Sequence, residues 1–496
     1  MKYILALDQG TTSSRSIIYD ENLKTVATVQ KEFTQHFPQP GWVEHDANEI
    51  WEGVLETARG VIAKAGIKPS EIASIGITNQ RETVVVWDRM TGEPVHRAIV
   101  WQDRRTGDFM NALREGGNEP LVQQRTGLLL DPYFSASKIH WILREIPDGH
   151  ARAASGELAA GTIDSWLIFK LTGGVSHVTD VSNASRTMLM NIRSGDWDAD
   201  LMALFAIPRS LLPIIGPSSG HLGVSLPDLL GAPIPICSAI GDQQSALFGQ
   251  LCTKPGLVKC TYGTGCFLLV FTGPDAISSA NRLLTTVAWR IGDQPLQYAV
   301  EGSVFMGGAS IQWLRDGLGI IRTASEVNEL AARVNDSGGV YLVPAFTGLG
   351  APYWDSEARG TLLGLTRGTT SAHIARATLE GIAFQVVDLV TAMEKDSGKK
   401  ISTLRVDGGA CASDLLMQTQ ADLLGCIVER PVNIESTALG AAMLAGLGAG
   451  IWPNIEALSK IRSIERRFEP GIMARDRRAR VKIWKQAVKR SRHWAS

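Results

Sequence analysis

Two short turns rich in glycine and hydroxyl residues, one in each half of the chain, restrict most strongly what this sequence can fold into. The first lies in "YILALDQGTTSSRSIIYD" and the second in "GLVKCTYGTGCFLLVF". Apolar runs rich in β-branched and aromatic residues flank each turn, which predicts a β-hairpin with the glycines and hydroxyls at its tip. Backbone N–H groups, hydroxyls and the guanidinium of Arg15 suit an anion such as phosphate. A hairpin tip without a ligand is the alternative, since these are ordinary turn residues.

The rest of the chain alternates apolar runs with helical patterns. After Asp46 or Asn48 the apolar positions repeat at helical spacing and stop at Gly66, which predicts a helix. Later segments predict a strand, a helix and a second strand in turn: "STLRVDGG", "ASDLLMQTQADLLG" and "CIVERP". This alternation predicts an α/β fold with helices on both faces of its sheets.

The two hairpins also predict the domain organisation. Similar turns in both halves indicate two lobes, which we place at residues 1–250 and 251–496. Ligand sites commonly form between lobes, so a nucleotide is expected in the cleft between them. The chain has neither the GxxxxGK[ST] pattern of a P-loop nor a GxGxxG fingerprint after a strand, which argues against those two nucleotide-binding folds.

Composition and charge pattern limit the partners and the cellular compartment that we expect, and they predict two helices near the C-terminus. The net charge of −1 gives the chain no electrostatic reason to bind nucleic acid. The basic C-terminal stretch places Val481, Trp484 and Val488 at helical spacing and predicts an amphipathic terminal helix. The six cysteines form no CxxC pair and no signal-peptide core is present, so a reduced, cytoplasmic protein without membrane insertion is expected. The charge-free stretch within 435–456 predicts a buried helix, because its glycines and proline do not suit a membrane span.

Two acidic residues follow predicted strands and carry the chemistry expected of a nucleoside triphosphate site. Such a site needs donors for the phosphates, a carboxylate for magnesium and a base near the acceptor hydroxyl. Asp8 ends the first strand and is a candidate magnesium ligand. Asp242 follows "PIPICSAI" and is a candidate general base. Thr264, in the second glycine turn, is a candidate phosphate donor from the second lobe.

A third group of residues has the chemistry of a polyol site. Arg81 and Glu82 are adjacent and follow an apolar strand, so together they offer a donor and an acceptor to vicinal hydroxyls. Trp101 and Tyr133 offer aromatic faces to C–H groups and a phenol hydroxyl to an alcohol.

The chain resembles the FGGY carbohydrate kinase family. The motifs that carry the resemblance extend from the first strand to about residue 470 and include "LALDQGTTSSR", "GITNQRET", "IVWQDRR", "DPYFSASKIHWIL", "TDVSNASRTML", "GDQQSALFGQL", "TYGTGCF", "FMGGASIQWLRD", "VPAFTGLGAPYWD", "RGTLLGLTRGTTSAHIARATLEGIAFQ" and "LRVDGGA". The resemblance implies a two-lobed actin-like, ribonuclease-H-like ATPase fold with a nucleotide cleft between the lobes. Within the family the pattern is similar to that of members that phosphorylate glycerol with ATP and Mg²⁺, giving sn-glycerol 3-phosphate and ADP.

The resemblance also implies a role for individual residues. Those implied to bind the nucleotide are Thr11, Thr12, Ser13, Arg15, Thr264, Gly308, Gln312, Gly409 and Ser413. Those implied to hold glycerol are Arg81, Glu82, Trp101, Tyr133, Asp242, Gln243 and Phe267. Asp242 is the implied general base, and Asp8 and Asp242 the implied magnesium contacts. Ser413 stands where the family often has asparagine, which leaves nucleotide selectivity open.

Two other functions remain possible at this point. Another FGGY kinase would act on xylulose, ribulose, erythritol or gluconate, although large aromatic residues leave little room for a longer chain. An actin-like ATPase would use the same nucleotide cleft without a polyol site. The resemblance further implies a homodimer or homotetramer, with glycerol and ATP as the small-molecule partners.

Overall fold

Two large β-sheets with helices packed on them form the framework of the protein. The computed structural model describes residues 2–459 and 461–495. A six-stranded sheet is built from residues 3–241 and a seven-stranded sheet from residues 258–468. We call residues up to 249 the first lobe and residues from 258 the second lobe. The predicted two-lobed α/β architecture is confirmed, and the division at residue 250 stays a prediction.

The first lobe contains most of the short elements. Its strands are β1 (Tyr3–Gln9), β2 (Ser13–Tyr19), β3 (Thr25–Glu32), β4 (Glu44–His45), β5 (Ile72–Asn79), β6 (Val84–Asp88), β7 (Ala98–Ile99), β8 (Leu158–Thr162), β9 (Val178–Asp180), β10 (Met190–Asn191), β11 (Asp196–Trp197), β12 (Ile214–Gly216), β13 (Ser219–Val224) and β14 (Pro235–Gly241). Its helices are α1 (Ala47–Ala65), α2 (Gly107–Glu115), α3 (Glu119–Thr126), α4 (Ser135–Glu145), α5 (Gly149–Ser155), α6 (Ile163–Leu171), α7 (Val181–Ala184), α8 (Ala199–Leu204), α9 (Pro227–Leu230) and α10 (Asp242–Gly249).

The second lobe has longer helices. Its strands are β15 (Val258–Tyr262), β16 (Cys266–Gly273), β17 (Leu284–Trp289), β18 (Gln297–Val304), β19 (Tyr341–Val343), β20 (Thr361–Leu363), β21 (Thr403–Asp407), β22 (Ile427–Pro431) and β23 (Ile464–Phe468). Its helices are α11 (Gly308–Asp316), α12 (Glu326–Ala331), α13 (Ser371–Ser397), α14 (Asp414–Leu424), α15 (Ser436–Gly448), α16 (Ile455–Ser459) and α17 (Ala474–Ser491).

The central strands of the two sheets share one topology. The order β3-β2-β1-β5-β14 in the first lobe matches the order β18-β16-β15-β21-β22 in the second. In both sheets the first three strands are antiparallel neighbours, and the last three run parallel. The two predicted hairpins therefore occupy equivalent positions in the two lobes. Parallel strands end at one edge of a sheet, so the residues after β1, β5 and β14 lie along the same edge.

Three sequence predictions of local structure are confirmed. Helix α1 starts after Asp46, whose side chain accepts the N–H groups of Asn48 and Glu49, and it ends at Gly66 in the left-handed conformation. The predicted strand, helix and strand of the second lobe are β21, α14 and β22. The terminal helix α17 buries Trp484 and Val488 and exposes its basic face.

The charge-free stretch forms α15, which is buried between the lobes. Its alanines pack with Ile4 and Ala6 of β1 and with α10 in one apolar cluster. Gly76 of β5 permits the approach, since a Cβ there would press into the carbonyl of Ala441. Across residues 2–459 and 461–495, no helix combines the length and hydropathy that a membrane span needs.

Helices α10 and α15 cross at a pair of glycines. A Cβ on Gly440 would overlap the carbonyl oxygen of Ser245, and a Cβ on Gly249 would overlap that of Ser436. Both clashes involve backbone atoms, which have no side-chain freedom to move aside. The close packing of α10 against α15 therefore requires glycine at both positions.

We expect Gly440→Ala to destabilise the protein strongly. The added methyl group must push α15 away from α10, and overpacking of this kind costs about 3 kcal/mol. Urea unfolding followed by circular dichroism measures the change. The matched control is Gly107→Ala in α2, where a Cβ meets no atom within 4 Å. Equal unfolding midpoints for the two variants would contradict the role given to the crossing.

Candidate active site

The first glycine turn joins β1 to β2 and carries three predicted phosphate contacts. The N–H of Gly10 donates to the carbonyl oxygen of Ser13 at 2.9 Å and closes the turn. Thr12 is exposed at its tip. The indole N–H of Trp101 donates to the Thr11 hydroxyl at 3.1 Å, which links the phosphate turn to a predicted polyol residue.

Arg15 is held between two carboxylates from different lobes. Its Nη2 lies 2.6 Å from Asp8 Oδ2 and 2.6 Å from Glu435 Oε2, next to the start of α15. Burial raises the pKa of Asp8, and the charge of Arg15 opposes that shift. Asp8 and Arg15 thus pair with each other at the base of the first glycine turn, and Arg15 also pairs with Glu435 of the second lobe.

The second glycine turn sits on the N-terminus of α11. The N–H of Gly307 donates to the carbonyl of Thr264 at 2.7 Å, and that of Gly308 to the carbonyl of Gly263 at 2.8 Å. A Cβ on Gly308 would lie 2.8 Å from that same Gly263 oxygen, so this position needs glycine. Gln312 is exposed one helical turn further along α11.

The two remaining nucleotide candidates follow β21. Gly409 is exposed in a short 3-10 turn. Ser413 is the N-cap of α14, where its hydroxyl accepts the N–H of Leu416 at 3.1 Å and donates to Asn328 of α12. The serine that departs from the family pattern therefore holds a neighbouring amide side chain at its hydroxyl.

Arg81 and Asp242, two of the predicted polyol residues, lie together at the carboxyl edge of the first sheet. Arg81 follows β5 and its Nε lies 3.2 Å from Oδ1 of Asp242, the first residue of α10. The ring of Trp101 lies edge-on to Tyr133 at a centroid distance of 5.6 Å and to Phe267 at 6.4 Å. Phe267 comes from β16, so both lobes line this pocket.

Sequence reasoning missed two buried charges that hold this pocket. Glu301 of β18 accepts hydrogen bonds from both terminal nitrogens of Arg81, at 2.5 and 3.1 Å. Arg186 donates to Glu82 at 2.6 Å and to Glu301 at 3.0 Å. The available signals were a lone glutamate in the apolar strand "QYAVEGSV" and a lone arginine in "NASRTML", because buried charges require partners.

The three carboxylates of this group, Glu82, Glu301 and Asp242, differ in their electrostatic environment and in their exposure. Burial alone would raise the pKa of Glu301, but Arg186 and Arg81 lower it to about 2. Burial raises the pKa of Glu82, against the effect of the same arginines. The side chains of Glu82 and Glu301 are 1% and 0% exposed, whereas that of Asp242 is 31% exposed. Asp242 is therefore the most accessible of these three carboxylates.

Gln243 lies beside that open carboxylate. Its backbone N–H donates to Asp242 Oδ1 at 2.7 Å, and its side-chain Nε2 lies 3.4 Å from Oδ2. Together with Arg81 these contacts fix the orientation of the Asp242 carboxylate.

The acidic residues fit a magnesium ion that is bound mainly by phosphates. In the described part of the chain, no three His, Cys, Asp or Glu side chains form a metal-binding group. Asp8 and Asp242 are two carboxylates at the same sheet edge and are close enough for their charges to interact. Mg²⁺ commonly takes one or two protein carboxylates beside substrate phosphates, so the pair suffices.

A glycine turn in each lobe, a partly exposed carboxylate and neighbouring side chains of polyol-binding type are the features expected of a small-molecule kinase. The chain belongs to the FGGY family of carbohydrate kinases. The model of the family's N-terminal domain matches residues 3–249, and that of its C-terminal domain matches residues 258–449.

Named relatives are similar over the whole chain. A glycerol kinase of Rhodopirellula baltica is 58% identical over 495 residues, covering 100% of this chain and 92% of the relative. Glycerol kinase 2 of Thermotoga maritima is 56% identical over 494 residues, covering 100% and 99%. A crystal structure of Plasmodium falciparum glycerol kinase with ADP superposes with a TM-score of 0.93 at 37% identity, covering 99% and 98% of the two chains. The two-lobed actin-like fold implied by the family resemblance is confirmed.

Proposed function

We propose that this protein transfers the γ-phosphoryl group of ATP to glycerol, giving sn-glycerol 3-phosphate and ADP. One observation carries the proposal: residues expected to hold a small polyol lie in contact, Arg81 with Asp242 and Trp101 with both Tyr133 and Phe267. The 58% identity with a relative named glycerol kinase supports glycerol as the acceptor. An actin-like ATPase would have no use for such a pocket.

Asp242 acts as the general base. Arg81 and the Gln243 N–H hold its Oδ1, while Oδ2 makes the longer contact of 3.4 Å with the Gln243 side chain. Oδ2 takes the proton of a terminal glycerol hydroxyl as that oxygen forms its bond to the γ-phosphorus. The bond between the γ-phosphorus and the bridging oxygen breaks in line, and its electron pair leaves with ADP.

The pocket walls bind and orient the acceptor. Arg81 donates to the glycerol hydroxyls and Glu82 accepts from them, while Glu301 and Arg186 keep both side chains in place. The aromatic rings pack against the carbon chain; they belong to Trp101, Tyr133 and Phe267. Such positioning makes transfer to glycerol faster than transfer to water.

The two glycine turns bind the nucleotide from opposite lobes. Thr11, Thr12 and Ser13 donate to the phosphates from the first lobe, and Thr264 from the second. Arg15 reaches a phosphate when that group replaces Glu435 as its partner. The rest of the nucleotide is bound by Gly308, Gln312, Gly409 and Ser413.

Asp8 and Asp242 would hold Mg²⁺ at the phosphates. The ion would neutralise negative charge on the transferring group when bound. We also propose that the protein is cytoplasmic and forms a homodimer or homotetramer, and we place the lobe boundary at residue 250. The six free, buried cysteines agree with a reducing compartment.

The acceptor is tested by a coupled assay of ADP release with ATP and magnesium. We expect strong turnover with glycerol and little with erythritol, xylulose, ribulose or gluconate, because three large rings that meet at Trp101 favour a short acceptor. Wild-type protein without acceptor is the control for simple hydrolysis. Preferred turnover of a pentulose or gluconate would assign a different polyol, and ADP release independent of any acceptor would favour the actin-like ATPase.

A further inference from the structure

A buried lysine of the second lobe contacts the candidate active site of the first. Lys259 of β15 is fully buried. Its Nζ donates to Oε1 of Gln243 at 2.5 Å and to the Thr261 hydroxyl at 2.8 Å. Burial lowers the pKa of Lys259, and the charge of Asp407 on the neighbouring strand β21 favours the protonated form. A buried ammonium is costly, so its placement beside a substrate-binding residue requires a reason.

Strand register explains how Lys259 reaches that position. Lys259 is directly opposite Leu269, and Leu269 is directly opposite Glu301. Residues opposite one another in neighbouring strands point to the same face of a sheet. Phe267 lies two residues before Leu269 and shares this face. One face of the second sheet therefore presents Lys259, Phe267 and Glu301 together to the first lobe.

The contact determines which way the Gln243 amide points. An ammonium group has donors only, so the amide atom that it touches must be the oxygen. The opposite end of the amide, Nε2, then lies 3.4 Å from Asp242 Oδ2. With the amide reversed, its oxygen would face the carboxylate and repel it. Lys259 thus favours the orientation of the Gln243 amide in which Nε2 donates toward Oδ2 of Asp242.

We propose that Lys259 is a positioning residue for phosphoryl transfer, acting across the lobes through the Gln243 amide. The proposal rests on the proposed function only for the identity of the acceptor. Whichever polyol proves to be the acceptor, the proposal requires that Asp242 and the Gln243 amide contact it. Lys259 itself does not touch the reacting atoms.

The test is a double-mutant cycle with Lys259→Met and Gln243→Met. We expect Lys259→Met alone to lower kcat/KM for the polyol by about 10–100-fold, because the amide loses its fixed orientation. The KM for ATP should change less than about 2-fold, since the nucleotide turns are untouched. In the Gln243→Met background, Lys259→Met should have less than about a 2-fold further effect, because its target is gone.

Controls separate this role from a structural one. Cys260→Ala changes the next residue of β15, which packs in the core of the second lobe, and should leave kcat/KM within about 2-fold. If Lys259→Met does not fold, Thr261→Val replaces it in the cycle, since Thr261 is the second anchor of the ammonium. The same loss of kcat/KM with and without Gln243 would overturn the proposal. Absence of polyol turnover in the wild type would overturn the proposed function instead.

Discussion

Asp242→Asn should lower kcat by about 10²–10⁴-fold, the usual contribution of a general base. An amide cannot accept the proton that leaves the acceptor hydroxyl at neutral pH, although it keeps the size of the carboxylate. The KM for glycerol should change little, because the substitution leaves in place Arg81 and Glu82, the proposed binding groups for the hydroxyls. Steady-state ADP release at saturating glycerol and ATP measures the effect.

Two measurements make the Asp242 result specific. Asp108→Asn, an exposed acidic residue in the first turn of α2, is the matched control and should keep the wild-type kcat. The thermal midpoint of Asp242→Asn should stay near that of the wild type, since the carboxylate is partly open to solvent. A fall in kcat of less than about tenfold would assign the base to another group.

Removal of Glu301 should affect both stability and substrate binding. Glu301→Ala leaves Arg81 and Arg186 buried without their shared partner, and breaking a buried ion pair in this way costs about 3–5 kcal/mol. The KM for glycerol should rise at least about tenfold, because Arg81 is no longer held at the pocket. Urea unfolding and glycerol titration at fixed ATP measure the two effects.

The pH dependence of stability gives an independent check of the Glu301 environment. The pKa of Glu301 is about 2 in the folded protein against an ordinary value of 4.5. Its stabilising contribution is therefore fully present above pH 4.5 and is lost as the pH falls toward 2. We expect the difference in unfolding free energy between the wild type and Glu301→Gln to shrink steadily from pH 5 to pH 3.

The Glu301 interpretation has its own control. Glu465 is exposed and pairs with Arg430, which keeps Asp414 as a second partner, so Glu465→Ala should leave the unfolding midpoint and the glycerol KM nearly unchanged. If Glu301→Ala does not fold, the glutamine variant still reports the glycerol KM and the pH dependence. A pH-independent difference between the wild type and Glu301→Gln would mean that Glu301 is not ionised in the folded protein.

Local structure could be predicted well from the sequence because its signals are local. Asp46 and Gly66 delimit α1 by capping chemistry, and alternation of apolar runs predicted both hairpins. The candidate polyol residues were predicted on other grounds. Arg81 and Asp242 follow parallel strands, where chain direction brings side chains to one edge of a sheet, whereas Gln243 and Phe267 came from the family resemblance.

The contacts of Glu301 and Lys259 with the first lobe could not be predicted from the sequence. Arg81 and Glu301 are 220 residues apart, and Lys259 is 16 residues from the Gln243 that it touches. Neither pair is predicted by periodicity, because the contact exists only once the two lobes are joined. A charged residue inside an apolar strand marks such a position, but it does not identify its partner.

The placement of α15 determines when the apolar face of β1 is covered during synthesis of the chain. The face of β1 that carries Ile4 and Ala6 is synthesised long before its cover, a helix that starts at Ser436. At about 5–20 residues per second, this apolar face waits roughly 20–90 s for α15 to emerge. The nascent first lobe thus exposes this apolar face until late in translation, and a chain truncated before residue 436 lacks the helix that covers it.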